Sequence, residues 1–505
     1  MRHLTRRDFL KLSLLTSAYA IGDRRAFSAP CVDTDVLIIG AGMAGLRAAD
    51  FIDLSSSGAV STIILEARDR IGGRVYTDRL SIPGTPIERG ASWVINTLNP
   101  DNCIMQAEVP FNGTTTVPTS HSKQAVYKAR GRRAGDRLVT SIANRFENIS
   151  DKVDDLRMQL AQDRSLQAGY AAVTRRRGPK LNFSIYDNIE GDYASDISDM
   201  SLLHYDCAEK YIDTVALPDG DEENPEVLVT NGYDTIVNGV AVGTDIRLNH
   251  QVTNIAWDNT GVTVTTAANG CFTARRLIIT VPLGILKQSV NSGNPITFAN
   301  ALPPEKIAAI NGLGMGTLNK VYLKFPNAFW EGQFADDVGG IDFIDRIAKV
   351  KGEWADWFNV DNSTGQPILC ALNAGEFGER MELSADNVLV SDAMAVLRRM
   401  FGRRGNVVPD PTDFVITRWK ADPYSMGSYA HVLPGAIAGA RNCDTLEAEV
   451  YETIAEPVDN RLFFAGEHTH EKYSQSVHGA YLSGERAGGE VVDFFGFDPA
   501  ASCAI

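Results

Sequence analysis

Two hydrophobic rhythms alternate along this chain of 505 residues. Val36 to Ile39 form a short unbroken apolar run, as expected of a parallel strand buried on both faces. Gly40, Gly42 and Gly45 interrupt it, and Leu46 to Phe51 continue with helical character. A second strand-like run, STIILEARD, carries Glu66 near its end. VTNIAWDNTGVTVTT alternates apolar and polar residues on both sides of Asn259-Thr260-Gly261, which predicts a β-hairpin. NKVYLKF also alternates, so Lys320, Tyr322 and Lys324 share one face of a strand. The chain start differs from all of these. Leu10 to Ala20 is apolar but diluted by Ser13, Thr16 and Ser17, follows Arg2, Arg6 and Arg7, and ends in a small-x-small site, Ala18-Tyr19-Ala20. That pattern predicts an export signal over residues 1–29, too short for a stable membrane span. TRRDFLK fits the twin-arginine export address, with an ordinary secretory signal as the alternative.

Composition changes this picture little. The chain is 44% hydrophobic and 22% charged, as globular proteins are, and long enough for two domains. Its net charge of −15 argues against nucleic acid as a partner. Seven cysteines are scattered with no CxxC pair, against a zinc site or a dense disulfide framework. His468, His470 and His478 lie close together, but their spacing fits no strong metal pattern, and no metal is expected.

The chemistry is concentrated around the glycines. Gly40, Gly42 and Gly45 fit G-x-G-x-x-G between a strand and a helix, where backbone can approach a pyrophosphate and the helix N-terminus favours it. Glu66 follows 21 residues after Gly45, the place of an acid that accepts hydrogen bonds from ribose hydroxyls. RIGGRVYT adds Gly73 and Arg74, suited to a flavin pyrophosphate. The order G-x-G-x-x-G, Glu, GGR resembles the flavin-containing amine oxidase superfamily, and LGMGTLNKVYLKFPNAFW is closest to its polyamine oxidases.

This resemblance covers nearly the whole chain after the signal. It implies an α/β fold: a Rossmann-like FAD-binding domain from 32–100, 225–290 and 445–500, interwoven with an α+β substrate domain from 101–224 and 291–444. It places Val252 at the adenine end of FAD, Trp419 by the flavin, Glu467 by the ribityl or phosphate region and the Val477 N–H at the pyrimidine ring. It selects Lys320, where spacing alone leaves Lys324 open, as the active-site lysine that holds a water near flavin N5. Trp93 and Tyr429 would line the substrate. Ser428 stands where animal monoamine oxidases carry the cysteine linked to FAD, so the FAD is expected to be noncovalent. The resemblance also has gaps. Ile95 and Ser195 stand near positions where maize-type polyamine oxidases have carboxylates, and Ser476 replaces a common tyrosine. The implied reaction is oxidation of an amine to an imine, with O2 reduced to H2O2. An L-amino-acid oxidase, a flavin desaturase and a catalytically silent flavin fold are the alternatives.

Overall fold

The computed structural model describes residues 31–503 except 101, 176, 207–225, 269, 335–336, 338, 404 and 437–446. The expected export signal lies outside the described residues.

The apolar run after residue 31 becomes the strand Val32–Ile39, central in an eight-stranded sheet among the described residues. Its parallel neighbours are Thr62–Leu65 on one side and Gly270–Ile279 on the other. Gly270–Ile279 is long enough to be shared along its other edge. Its first half pairs antiparallel with Val262–Thr266, and its last residues pair parallel with Leu462–Phe464. The expected hairpin is present, with Ile255 opposite Val264 and Trp257 opposite Val262. One sheet is thus assembled from segments more than 400 positions apart. Parallel strands of this type need crossover connections and cover on both faces, which explains their continuous apolar character.

Helix Met43–Ser56 follows the central strand and packs against Val477–Phe494. Small residues permit the approach: a Cβ on Gly484 would stand 2.4 Å from the Ala44 carbonyl oxygen. Such a strand–glycine turn–helix unit in a parallel sheet is the dinucleotide-binding arrangement expected from the sequence.

A second sheet of six strands runs in the order Asp413–Ile416, Leu318–Lys324, Ile368–Ala374, Asp356–Asn359, Phe343–Ile347 and Gln124–Lys128. Alternation divides its faces. Val321 and Leu323 enter a core with Trp330, Trp357, Leu397 and Phe401. Lys320 and Tyr322 project from the opposite face, Tyr322 into a second apolar cluster and Lys320 onto the wall of a large cavity. Disulfides join Cys31 to Cys271 and Cys103 to Cys503, tying both ends of the described chain to its body. No described helix is long and apolar enough to cross a membrane.

Candidate active site

The cavity measures about 1290 Å³ and takes its walls from both sheets. At one end it is lined by Gly40, Gly42, Glu66, Gly73, Arg74 and Val252. Gly40 has φ +103°, a conformation that a side chain would strain. A Cβ on Gly42 would meet nothing within 4 Å, so bare backbone faces the cavity there. Gly45 works from behind the wall: a Cβ there would lie 2.0 Å from the Gly40 carbonyl oxygen, so only glycine lets helix and turn meet. The helix that begins at Met43 has no side-chain cap and no acid in its first turn. Its first N–H groups and its dipole are therefore free to serve an anion.

Glu66 is buried at the end of its strand. Its carboxylate accepts from the N–H of Ala41 at 2.7 Å and of Arg68 at 2.8 Å. Burial raises its pKa against the opposing pull of those two donors. Arg74 donates to Glu467 at 2.8 Å and to the Ser428 carbonyl at 2.7 Å. Burial alone would raise the Glu467 pKa, but Arg74 beside it holds the carboxyl below its ordinary value. The Ser428 hydroxyl accepts from the Leu318 N–H at 2.8 Å and donates to the Leu318 carbonyl at 3.1 Å. Its position thus serves to pin a strand.

Lys320, on the cavity wall, is almost fully buried. Its Nζ lies 2.6 Å from the Gly90 carbonyl, 2.5 Å from Ser92 Oγ and 3.2 Å from the Glu88 carbonyl. The Trp93 ring is 5.5 Å away. Burial lowers the Lys320 pKa, while the Glu88 carboxyl is pushed up to about 7, also by burial. Lys324, on the same strand face, does not line the cavity. Trp419 is held by a hydrogen bond from its indole N–H to the Arg89 carbonyl at 3.0 Å, and Trp93 by one to Thr119 at 3.1 Å. Tyr429 and Ile95 complete this stretch of wall.

One expected substrate position needs correction. Ser195 does not line the cavity; it is buried and its hydroxyl meets His431 Nε2 at 3.1 Å. Its neighbour Asp192 lines the cavity instead, because the helical turn Gly191–Tyr193 carries it inward. Ser476 does border the cavity, but its hydroxyl caps helix Val477–Phe494 by accepting from the Gly479 N–H at 3.0 Å. Serine is a favoured residue at such a cap. Val477, the first residue of that helix, lines the cavity as well. His468 and His478 are buried nearby, and the described residues contain no group arranged to hold a metal ion.

Sequence reasoning missed several participants. Ser92 and Glu88 frame Lys320, and Asp356 lines the cavity from a strand of the second sheet. Arg68 forms a two-pronged pair with Asp422, at 2.9 and 2.7 Å, across 354 positions of sequence. Only the alternating pattern of WADWFNV could have pointed to Asp356.

Bare glycine backbone, an uncapped helix start, a buried acid at the next strand end and a long cavity fit a flavin adenine dinucleotide. Gly40, Gly42, Glu66, Gly73, Arg74 and Val252 would hold its adenine and pyrophosphate half, with Val477 and Lys320 near the ring. Fold and site together define an FAD-binding oxidoreductase.

Comparison with known sequences makes this specific. The flavin containing amine oxidoreductase family matches residues 43–492, and the chain belongs to that family. It is 31% identical to polyamine oxidase 2 of Arabidopsis thaliana over 490 residues, 93% of this chain and 89% of that protein. It is 30% identical to human lysine-specific histone demethylase 2, covering 91% of this chain and 53% of that protein. Among solved structures, putrescine oxidase bound to putrescine shares the fold, with a TM-score of 0.70 and 20% identity over 92% of this chain and 100% of that one. The protein is therefore an FAD-dependent amine oxidase.

Proposed function

We propose that the protein oxidises polyamines, using O2 as electron acceptor and releasing H2O2. FAD, held by Gly40, Gly42, Glu66, Gly73, Arg74 and Val252, would supply the two-electron chemistry by which the amine becomes an imine and O2 becomes H2O2. The chain supplies position and exclusion of water. Trp93, Trp419 and Tyr429 offer aromatic faces to a carbon chain or a cation. Lys320, buried on the cavity wall with its pKa lowered, is the residue we assign to handle a proton or a water during the oxidation. The Ser428 hydroxyl, already committed to Leu318, is consistent with noncovalent FAD.

One observation carries the choice of amine over amino acid. Each arginine on the cavity wall is already paired: Arg68 with Asp422, Arg74 with Glu467 and Arg89 with Asp78. An amino-acid oxidase needs an arginine to clamp the substrate carboxylate. The wall instead presents Asp192 and Asp356, and several relatives are polyamine oxidases. The test is peroxide release by purified yellow protein offered spermine, spermidine, putrescine, alkyl monoamines and L-amino acids. Turnover of polyamines is expected; amino-acid turnover with silent polyamines would reject the reading.

The two disulfides support work in an oxidising compartment, in line with an exported, periplasmic or extracellular protein. The measurement is the N-terminal sequence of protein recovered outside the cytoplasm. Cleavage after Ala20 is expected, and retention of residues 1–29 on cytoplasmic protein would reject export.

A further inference from the structure

Basic side chains gather at one end of the second sheet. Gln124–Lys128 and Phe343–Ile347 run parallel, with Lys128 opposite Ile347, so the turns that follow them stand side by side. The first turn carries exposed Arg130 and Arg132, and the second carries exposed Lys349. The end of helix Asp386–Phe401 closes on the same place. A Cβ on Gly131 would lie 1.7 Å from the Arg399 carbonyl oxygen, and Arg403 donates to the Arg130 carbonyl at 3.3 Å. Helix Pro179–Ile185 passes beside the strand. Gln124 donates to Asp187, and Phe183 packs with Val126, which brings exposed Lys180 towards Lys128. Segments far apart in sequence thus deliver cations to one surface.

The chain does not neutralise them. Among the described residues Lys128, Arg130, Arg132, Lys349, Arg399 and Arg403 form no ion pair. Acids on these segments serve other partners. Asp337 and Asp136 act on Arg133, Asp410 pairs with Arg398, and Glu353 acts on buried Arg346. Arg346 adds charge from beneath; burial lowers its pKa to about 10 against the pull of Glu353, and Arg399 lowers it further. A helix C-terminus favours arginine in its last turn, which accounts for Arg398 and Arg399 but not for the rest. Like charges held together on a chain of net charge −15 repel one another and favour an anionic partner. Arginine offers a planar fork that matches phosphate oxygens. Exposed apolar side chains stand among the cations: Val350 beside Lys349 is 48% exposed, and Val407 just beyond Arg403 is 81% exposed. Cations interleaved with apolar tips suit a phospholipid surface, where charges meet headgroups and the tips enter the boundary below. A sulfated polysaccharide would engage the charges and leave the valines in water.

We propose that this surface docks on the anionic phospholipid headgroups of a membrane. At the other end of Gln124–Lys128, exposed His121 and Ser122 line the cavity, so the cavity mouth stays open roughly 14 Å along the strand from the lipid. The test mixes purified yellow holoenzyme with vesicles of phosphatidylcholine, alone or with phosphatidylglycerol, and measures the fraction that sediments. Wild type is expected on the phosphatidylglycerol vesicles only, and is expected to leave them in high salt. Arg130→Glu combined with Arg132→Glu is expected to lower the partition coefficient about tenfold or more, and Val407→Asp to lower it by less. Flavin absorbance reports whether each variant is folded; if the double variant is colourless, Arg403→Glu is read in the same way. Equal sedimentation of wild type and a yellow charge-reversed variant would overturn the proposal, as would a wild type that ignores both vesicles. Retention on a sulfated polysaccharide without vesicle binding would also overturn it, giving the surface to a different polyanion.

Discussion

Lys320 shows how burial turns an ordinary side chain into a chemical one. Its Nζ donates to the carbonyls of Gly90 and Glu88 and to the Ser92 hydroxyl oxygen, while burial lowers its pKa. The same contacts fix residues 88–92 against the cavity. Lys320→Met is expected to lower turnover by about 100-fold while flavin stays bound, in the range of a lost proton-handling group. Rapid-reaction spectroscopy would show whether flavin reduction or its reoxidation by O2 slows. Unchanged rates in a yellow variant would reduce Lys320 to a prop for residues 88–92. At this scale the sequence was partly legible. Resemblance chose Lys320 over Lys324, and the structure puts Lys320 alone of the two on the cavity wall. The partners Glu88 and Ser92 come from a distant segment, and no local pattern announces such contacts. Ser195 was drawn from a register in a weakly matching region; Asp192, three residues earlier, lines the cavity, while Ser195 meets His431.

At the level of elements, the strand–turn–helix beginning at Val32 was readable because its constraints are local. A glycine is needed where helix and turn meet, and Gly45 marks that place. Gly45→Ala would push a Cβ against the Gly40 carbonyl oxygen, 2.0 Å away, so the helix must move off the strand. The expected result is protein purified without flavin, with a lower Tm; a yellow protein of normal Tm would contradict the packing argument. The hairpin around Asn259-Thr260-Gly261 was equally local. The six-stranded sheet was not. Its order places Gln124–Lys128 beside Phe343–Ile347, and such pairings depend on long-range packing rather than local rhythm.

Across the whole molecule, buried ionisable groups pull in opposite directions. Glu88, Asp187, Glu190 and Asp356 are raised to about 7, so each stabilises the fold least when pH rises through that value. His431, His468 and His470 are lowered to about 4, and each loses its stabilising effect as pH falls from 6.5 towards 4. The two sets oppose one another over one window. Asp187→Asn removes a member of the first set, so the variant is expected to be more stable than wild type above pH 7, with the advantage fading near pH 4. Tm measured across that range checks the sign, and an advantage that grows on acidification would refute it. The interleaved sheet has a further consequence, for the order in which the protein is made. Val32–Ile39 emerges early from the ribosome, yet its sheet is completed by Leu462–Phe464, and Val477–Phe494 must still arrive to cover it. The nascent chain must therefore wait, its first strands unsheltered, until synthesis is nearly finished. Until then its unpaired strand edges are the kind of surface on which chains aggregate.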